Sequence, residues 1–161
     1  MPRHRLIASP SSGLCWQDPP AGDEMSWWDA IPHCEDGTGD GYTDWALPDI
    51  DELISLMRGC VNGTATGDLS HSTCSVEDSG CLENSCNYGT DCDSCDILDG
   101  PGGVGCYWDP ELSGACSWYW SSSSVVGSTG NVWPVRFAYG YVYYHYDMYH
   151  TNHVRCVRRG P

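Results

Sequence analysis

The residues of this chain best suited to chemistry gather near its C-terminus. Tyr139, Tyr141, Tyr143, Tyr144, His145, Tyr146, Asp147, Tyr149, His150, Asn152 and His153 make up eleven of the fifteen residues from 139 to 153. Tyrosine gives a large, rigid, amphipathic contact at low entropic cost, and His, Asn and Asp add adaptable polar contacts. That chemistry is recognition. Six tyrosines within residues 139–149 cannot all be buried with their hydroxyls satisfied. The run also breaks simple alternation, which favours display over a hairpin of ordinary core tyrosines. Gly140 and Val142 read as scaffold, and Trp118 and Tyr119 are candidate contacts flanking the segment.

Tyr, His, Asn and Asp share one codon form and differ only at its first base. A surface chosen for chemistry alone would include Trp, Arg, Ser or Gln as well. Restriction to one codon column suggests targeted variation at adenine-rich codons, which would make this chain one member of a repertoire.

Other chemistries find little support. No G-x-S-x-G or H-E-x-x-H string occurs, and no carboxylate pair stands out from the acidic background. The chain therefore reads as a non-enzyme. His145, His150 and His153 fit no common zinc spacing. Cys81, Cys86, Cys92 and Cys95 hold one C-x2-C without a second, so disulfide bonding is the better reading. Asp36, Asp40, Gly41 and Asp44 suggest a calcium loop, but the position of the bidentate glutamate holds Leu47. No cofactor is expected, calcium being the one ion that so many acids leave open. Asn62-Gly63-Thr64 is a glycosylation sequon, meaningful only in a eukaryotic secretory route.

The rest of the chain must position the segment. With 161 residues it should form one domain, preceded by a short arm over residues 1–12. Its 22 acids face seven arginines and no lysine, a net charge of −15, so a nucleic-acid partner is not expected. No apolar run approaches the roughly 20 residues of a membrane span, and the N-terminus lacks the apolar core of a signal peptide. Residues 1–130 carry −18 and residues 131–161 carry +3, so the C-terminal part should dock on the acidic body. Eleven cysteines imply about five disulfides, one thiol left over, and an extracellular, cell-surface or periplasmic location.

Two helices are predicted. Ser26 and Asp29 cap the first, with Trp27, Ala30, Ile31 and Cys34 on one face and Pro32 set to kink or shorten it. Asp49 and Glu52 cap the second, which runs from Ile50 to Arg58 and stops at Gly59. Eight cysteines from Cys60 to Cys116 mark a long disulfide-stapled loop. Strands follow at 118–120 and then, within a C-terminal sheet over residues 131–159, at 132–137, 140–143 and 154–158. Helices first and strands last make the fold class α+β. Trp16, Trp27, Trp45, Trp120 and Trp133 are the expected core tryptophans.

Four strings together resemble one family. They are Gly13-Leu14-Cys15-Trp16-Gln17, Asp44-Trp45-Ala46-Leu47-Pro48 with Glu52-Leu53, Tyr119-Trp120-Ser121-Ser122-Ser123, and His153-Val154-Arg155-Cys156-Val157-Arg158. The pattern is similar to the Lcl C-terminal domain family of bacterial surface proteins, with Ala46 where Arg is usual. Phe137, Gly140 and Val142 match its F-x-x-G-x-V. The resemblance implies a C-type-lectin-like fold, two helices flanking a twisted antiparallel sheet, related to formylglycine-generating enzymes and to variable proteins diversified by retroelements. It also implies a disulfide between Cys34 and Cys156, and it leaves Cys15 as the candidate odd thiol. The implied function is a surface-displayed receptor or adhesin whose partner is a protein or a glycan. A fixed glycan-binding adhesin module is the first alternative, and a formylglycine-generating type of enzyme is the second.

Overall fold

Both predicted caps form. In the computed structural model, which describes residues 5–8, 13–38, 41–60, 96–125, 129–143 and 146–160, α1 spans Trp27–Glu35. The Ser26 hydroxyl accepts the Asp29 N–H at 3.3 Å, and Trp27, Ala30 and Cys34 form the buried face. Pro32, expected to kink or shorten the helix, does not cut it short: three more residues follow, and the Asp36 N–H donates to the Pro32 carbonyl at 2.8 Å. The hydrogen bond that proline forgoes would have gone to Trp28, on the exposed side of the first turn, where solvent can replace it.

Helix α2 is shorter than its sequence implies, spanning Ile50–Ile54. Its capping box is complete, with Glu52 N–H to Asp49 at 2.8 Å and Asp49 N–H to Glu52 at 2.9 Å. The helix stops early where local side chains take carbonyls in its last turn and just past its end. The Ser55 hydroxyl donates to the Glu52 carbonyl, and the Arg58 guanidinium donates to those of Ser55 and Met57. Met57 then bridges to Trp108.

All named strand pairs are antiparallel. One sheet joins β1 (Arg5–Ala8), β2 (Cys15–Asp18) and β9 (Val157–Arg158). A two-stranded ribbon joins β3 (Met25–Ser26) to β8 (Thr151–Asn152). The third sheet centres on β5 (Asn131–Arg136), with β4 (Trp118–Ser124) along one edge. Strands β6 (Tyr141–Val142) and β7 (Tyr146–Asp147) follow each other along the other edge. Strands β1, β2, β3, β7 and β8 go beyond what the sequence pattern revealed.

Pro134 lies inside β5 and has no N–H for the ladder. The register shifts between Trp120 and Ser124 on the facing strand, and side chains fill in. The Ser121 hydroxyl donates to the Trp133 carbonyl, and the Trp27 indole donates to the Ser121 carbonyl at 2.8 Å. This hydrogen bond, with Trp27, Ala30 and Cys34 packed in one apolar cluster with Trp120 and Val132, ties α1 to the sheet.

Two apolar clusters lie about this frame. The first gathers Trp16, Ile50, Leu53, Trp108, Tyr119, Trp133 and Phe137, and the second Trp27, Cys34, Trp45, Leu47, Trp120 and Val154. The five expected core tryptophans are all buried. Cys34 is bonded to Cys156 and Cys106 to Cys116, while Cys15 is a free thiol. Cys60 is also disulfide-bonded. The stretch from 61 to 95, with its sequon and with Cys81, Cys86, Cys92 and Cys95, lies outside the described residues, as does Asp40.

Candidate functional site: an aromatic face on the C-terminal sheet

Trp118, Arg136 and Tyr141 are successive cross-strand partners on β4, β5 and β6. Their neighbours Tyr119, Val135 and Val142 point into the core, so the pleat turns these three the other way. All three are partly exposed, as are Tyr139 and Tyr143. The Trp118 ring centroid lies 6.1 Å from that of Tyr141 and 6.2 Å from that of Tyr143, and the two tyrosines are 5.8 Å apart. The Arg136 guanidinium sits 4.6 Å over Tyr139 and 5.4 Å over Trp118. Phe137 is buried beneath, Val142 packs on the core, and Gly140 makes the intervening turn at φ 59°, where a side chain would be strained.

The remaining candidates divide three ways. Asp147, Tyr149 and His150 form an exposed turn in which the Asp147 side chain accepts the Tyr149 N–H at 3.0 Å, and Tyr149 is 80% exposed. That turn does not join the aromatic face. Asp147 pairs with Asn131 at one end of β5 and Tyr141 with Arg136 at the other, about 17 Å apart at strand spacing. Tyr144 and His145 lie outside the described residues, as does the Tyr146 side chain.

Tyr119, Asn152 and His153 require a correction. Tyr119 is fully buried, its hydroxyl donating to the Ala115 carbonyl at 2.9 Å, and burial pushes its pKa up to about 12. Asn152 is buried on β8 opposite Met25. His153 is largely covered, 3.2 Å from the Glu24 carboxylate, with its ring against Tyr119. Tyr119 and Asn152 lie on the inward faces of their strands and His153, just past β8, packs beside Tyr119, so these three belong to the frame.

Arg136 escaped the sequence reading because it stands outside the Tyr/His/Asn/Asp run. Its signal was positional: a lone cation between Val135 and Phe137 in an apolar strand must face outward. The other arginine side chains among the described residues have polar partners. Arg155 meets Asp18, Arg158 grips Asp44 through two nitrogens at 2.5 and 2.9 Å, Arg159 grips Glu52 at 2.6 and 2.8 Å, and Arg58 caps carbonyls. The Arg158 contact holds the Asp44 carboxyl below its usual range, whereas burial raises that of Asp49. Among the described residues, no three His, Cys, Asp or Glu side chains come together as a metal site.

A separate cleft of about 300 Å³ lies over the Cys34–Cys156 bond, between Gln17, Pro20, His33 and Trp45. Its Gln17 side-chain oxygen already accepts the Cys156 N–H at 3.2 Å.

Residues 6–158 match the sequence pattern of the Lcl C-terminal domain. The chain belongs to the Lcl C-terminal domain family. No curated protein matches it significantly. The strings that carry the Lcl pattern build the frame and leave the face free. Gln17 N–H donates to the Cys156 carbonyl while its side-chain oxygen accepts the Cys156 N–H, Asp44 holds Arg158, and Ala46 pairs with Val157. In the serine run, Ser121 spans the bulge, Ser122 N–H donates to Pro48, and the Ser123 hydroxyl accepts the first helical N–H of α2 at 3.0 Å.

Proposed function

We propose that this Lcl domain is an exported or surface-displayed binding module of C-type-lectin-like architecture, holding a protein or glycan ligand on the face of Trp118, Arg136, Tyr139, Tyr141 and Tyr143. The observation that carries the reading is the cluster of part-exposed rings around one guanidinium, built on a sheet whose other side is core. Aromatic and arginine side chains dominate binding energy at interfaces because they combine large area with few rotors. The antiparallel sheets and the bond from α1 to the segment entering the last strand suit the lectin-like fold, and the disulfides suit an oxidising compartment. Asp147, Tyr149 and His150 extend the display to a second exposed turn. The narrow residue alphabet of 139–153 supports diversification by a retroelement. No chemistry on the ligand is invoked.

The test is a thermal melt under non-reducing conditions of a variant that exchanges Tyr141, Tyr143, Tyr149 and His150 among Asn, Asp and Ser. A melting temperature within a few degrees of the parent is expected, because these side chains are display. A collapsed melt would show that they hold the domain together and would sink the reading. A near-copy of the 3′ gene segment beside a reverse transcriptase gene would be the genetic counterpart.

A further inference from the structure

Beside the aromatic face stands a loop with no apparent reason to be apolar. Ile97, Leu98 and Val104 are 54%, 45% and 77% exposed. Two of them also hold left-handed backbone, Leu98 at φ 55° and Val104 at φ 54°. That conformation suits Gly or Asn, and a β-branched residue in it is an outlier. Backbone strain of this kind persists where surrounding structure over-determines it, and it clusters at ligand clamps.

The loop is firmly held. Leu98 N–H donates to the Ala138 carbonyl at 2.8 Å and Tyr107 N–H to the Phe137 carbonyl at 2.9 Å. Gly100 N–H bonds to Gly105 at 2.8 Å across its neck, and a Cβ on Gly105 would collide with the Leu98 carbonyl. Both anchors, Phe137 and Ala138, are the residues between Arg136 and Tyr139. The loop is therefore tied to the stretch of backbone that joins Arg136 to Tyr139.

We infer that the loop and the aromatic face form one surface for a protein partner, which presents an apolar segment beside a carboxylate that pairs with Arg136. This rests on the binding role proposed for the face and names the class of its ligand. Exposed aliphatic side chains gain by burial against other apolar groups, whereas sugar hydroxyls set against them would lose water without a hydrogen bond in return. Charge sets the other half of the match. In a chain of net charge −15, Arg136 is the guanidinium that, among the described residues, meets rings alone. Set over those rings, its guanidinium offers a fork of donors suited to a bidentate carboxylate.

Panning a random dodecapeptide phage library on the disulfide-intact chain tests this. Recovered peptides are expected to carry Asp or Glu next to aliphatic or aromatic residues. A synthetic peptide of recovered sequence should bind about tenfold more weakly to Arg136→Gln and to Leu98→Asn, with both melting temperatures within a few degrees of the parent. Arg136→Lys, which keeps charge without the fork, should fall between. A selection that enriches no peptide, enriches peptides without acids, or yields peptides indifferent to either variant overturns the inference. Immobilised neutral and uronate-containing polysaccharides form the second arm. Polysaccharide binding that Trp118→Ser and Tyr141→Ser abolish, with no peptide selected, overturns the protein partner and keeps the face. Ligands of either kind that bind both serine variants as well as the parent overturn the face itself.

Discussion

Arg155 reaches Asp18 across most of the chain, one guanidinium nitrogen lying 3.0 Å from the carboxylate with both side chains buried. The same nitrogen donates to the Gln17 carbonyl at 2.8 Å and the other terminal nitrogen to that of Ser113, while Asp18 accepts the Ser113 N–H and hydroxyl at 2.8 and 2.9 Å. Trp108 and Tyr119 supply ring faces to the cation. Removing one member strands a buried charge, so Arg155→Met should lower stability by about 3–5 kcal/mol. Asp18→Asn in the same chain should recover part of that loss. Urea unfolding with disulfides intact reads both, and a loss below about 1 kcal/mol for the single variant would contradict the buried pair.

The Cys34–Cys156 bond closes a loop of sequence separation 122. In the chain-entropy account, replacing both cysteines by serine frees the unfolded chain by roughly 4–5 kcal/mol. The expected result is a large fall in melting temperature. A variant that melts with the parent would place the stabilisation elsewhere.

Asp44 gives the acid limb its sign. Its hydrogen bond to Arg158 lowers the folded-state pKa from the ordinary value of 3.8. The stability so contributed is complete above the unfolded value and is lost as pH falls through the folded one. Asp44→Asn should therefore be less stable than the parent at neutral pH, and the two curves should converge below about pH 4. Melting temperature followed from pH 7 to 2 checks this. Curves that stay parallel would mean the exposed pair contributes nothing pH-dependent.

Leu98→Asn and Val104→Asn put a residue that tolerates left-handed backbone where an aliphatic one now stands. Each should raise stability, by up to about 1 kcal/mol, since that is the scale of the strain relieved. Urea midpoints measure the gain. Stability that rises while peptide binding falls is the signature of strain retained for contact. A loss of stability would mean the aliphatic side chains pack usefully.

Local signals were legible in the sequence, and tertiary ones were less so. Ser26 and Asp49 announce their helices because capping depends on residues three apart. The end of α2 was not legible, because it depends on Arg58 folding back and on Met57 meeting Trp108 from across the loop region. Strands β4 and β5 show as aromatic and β-branched runs, whereas two-residue strands such as β3 and β8 carry no period to detect. The same limit governs the site. Composition singled out 139–153, but the pleat alone decides that Tyr141 faces out while Tyr119 and Asn152 face in. Arg136 became visible as a contact residue only when Trp118 and Tyr141 were seen on either side of it. The Cys34–Cys156 bond implied by family resemblance is present in the structure.

The bond between α1 and the segment entering β9 also has a mechanical consequence. Tension applied along the backbone from outside residues 34 and 156 crosses directly through the two sulfurs. Every residue between them, including Trp118, Arg136, the tyrosines of the face and the Leu98 loop, is then shunted out of the load path. Pulling on the chain could peel β1 and β2 from β9, yet the proposed recognition surface would keep its shape under the pull.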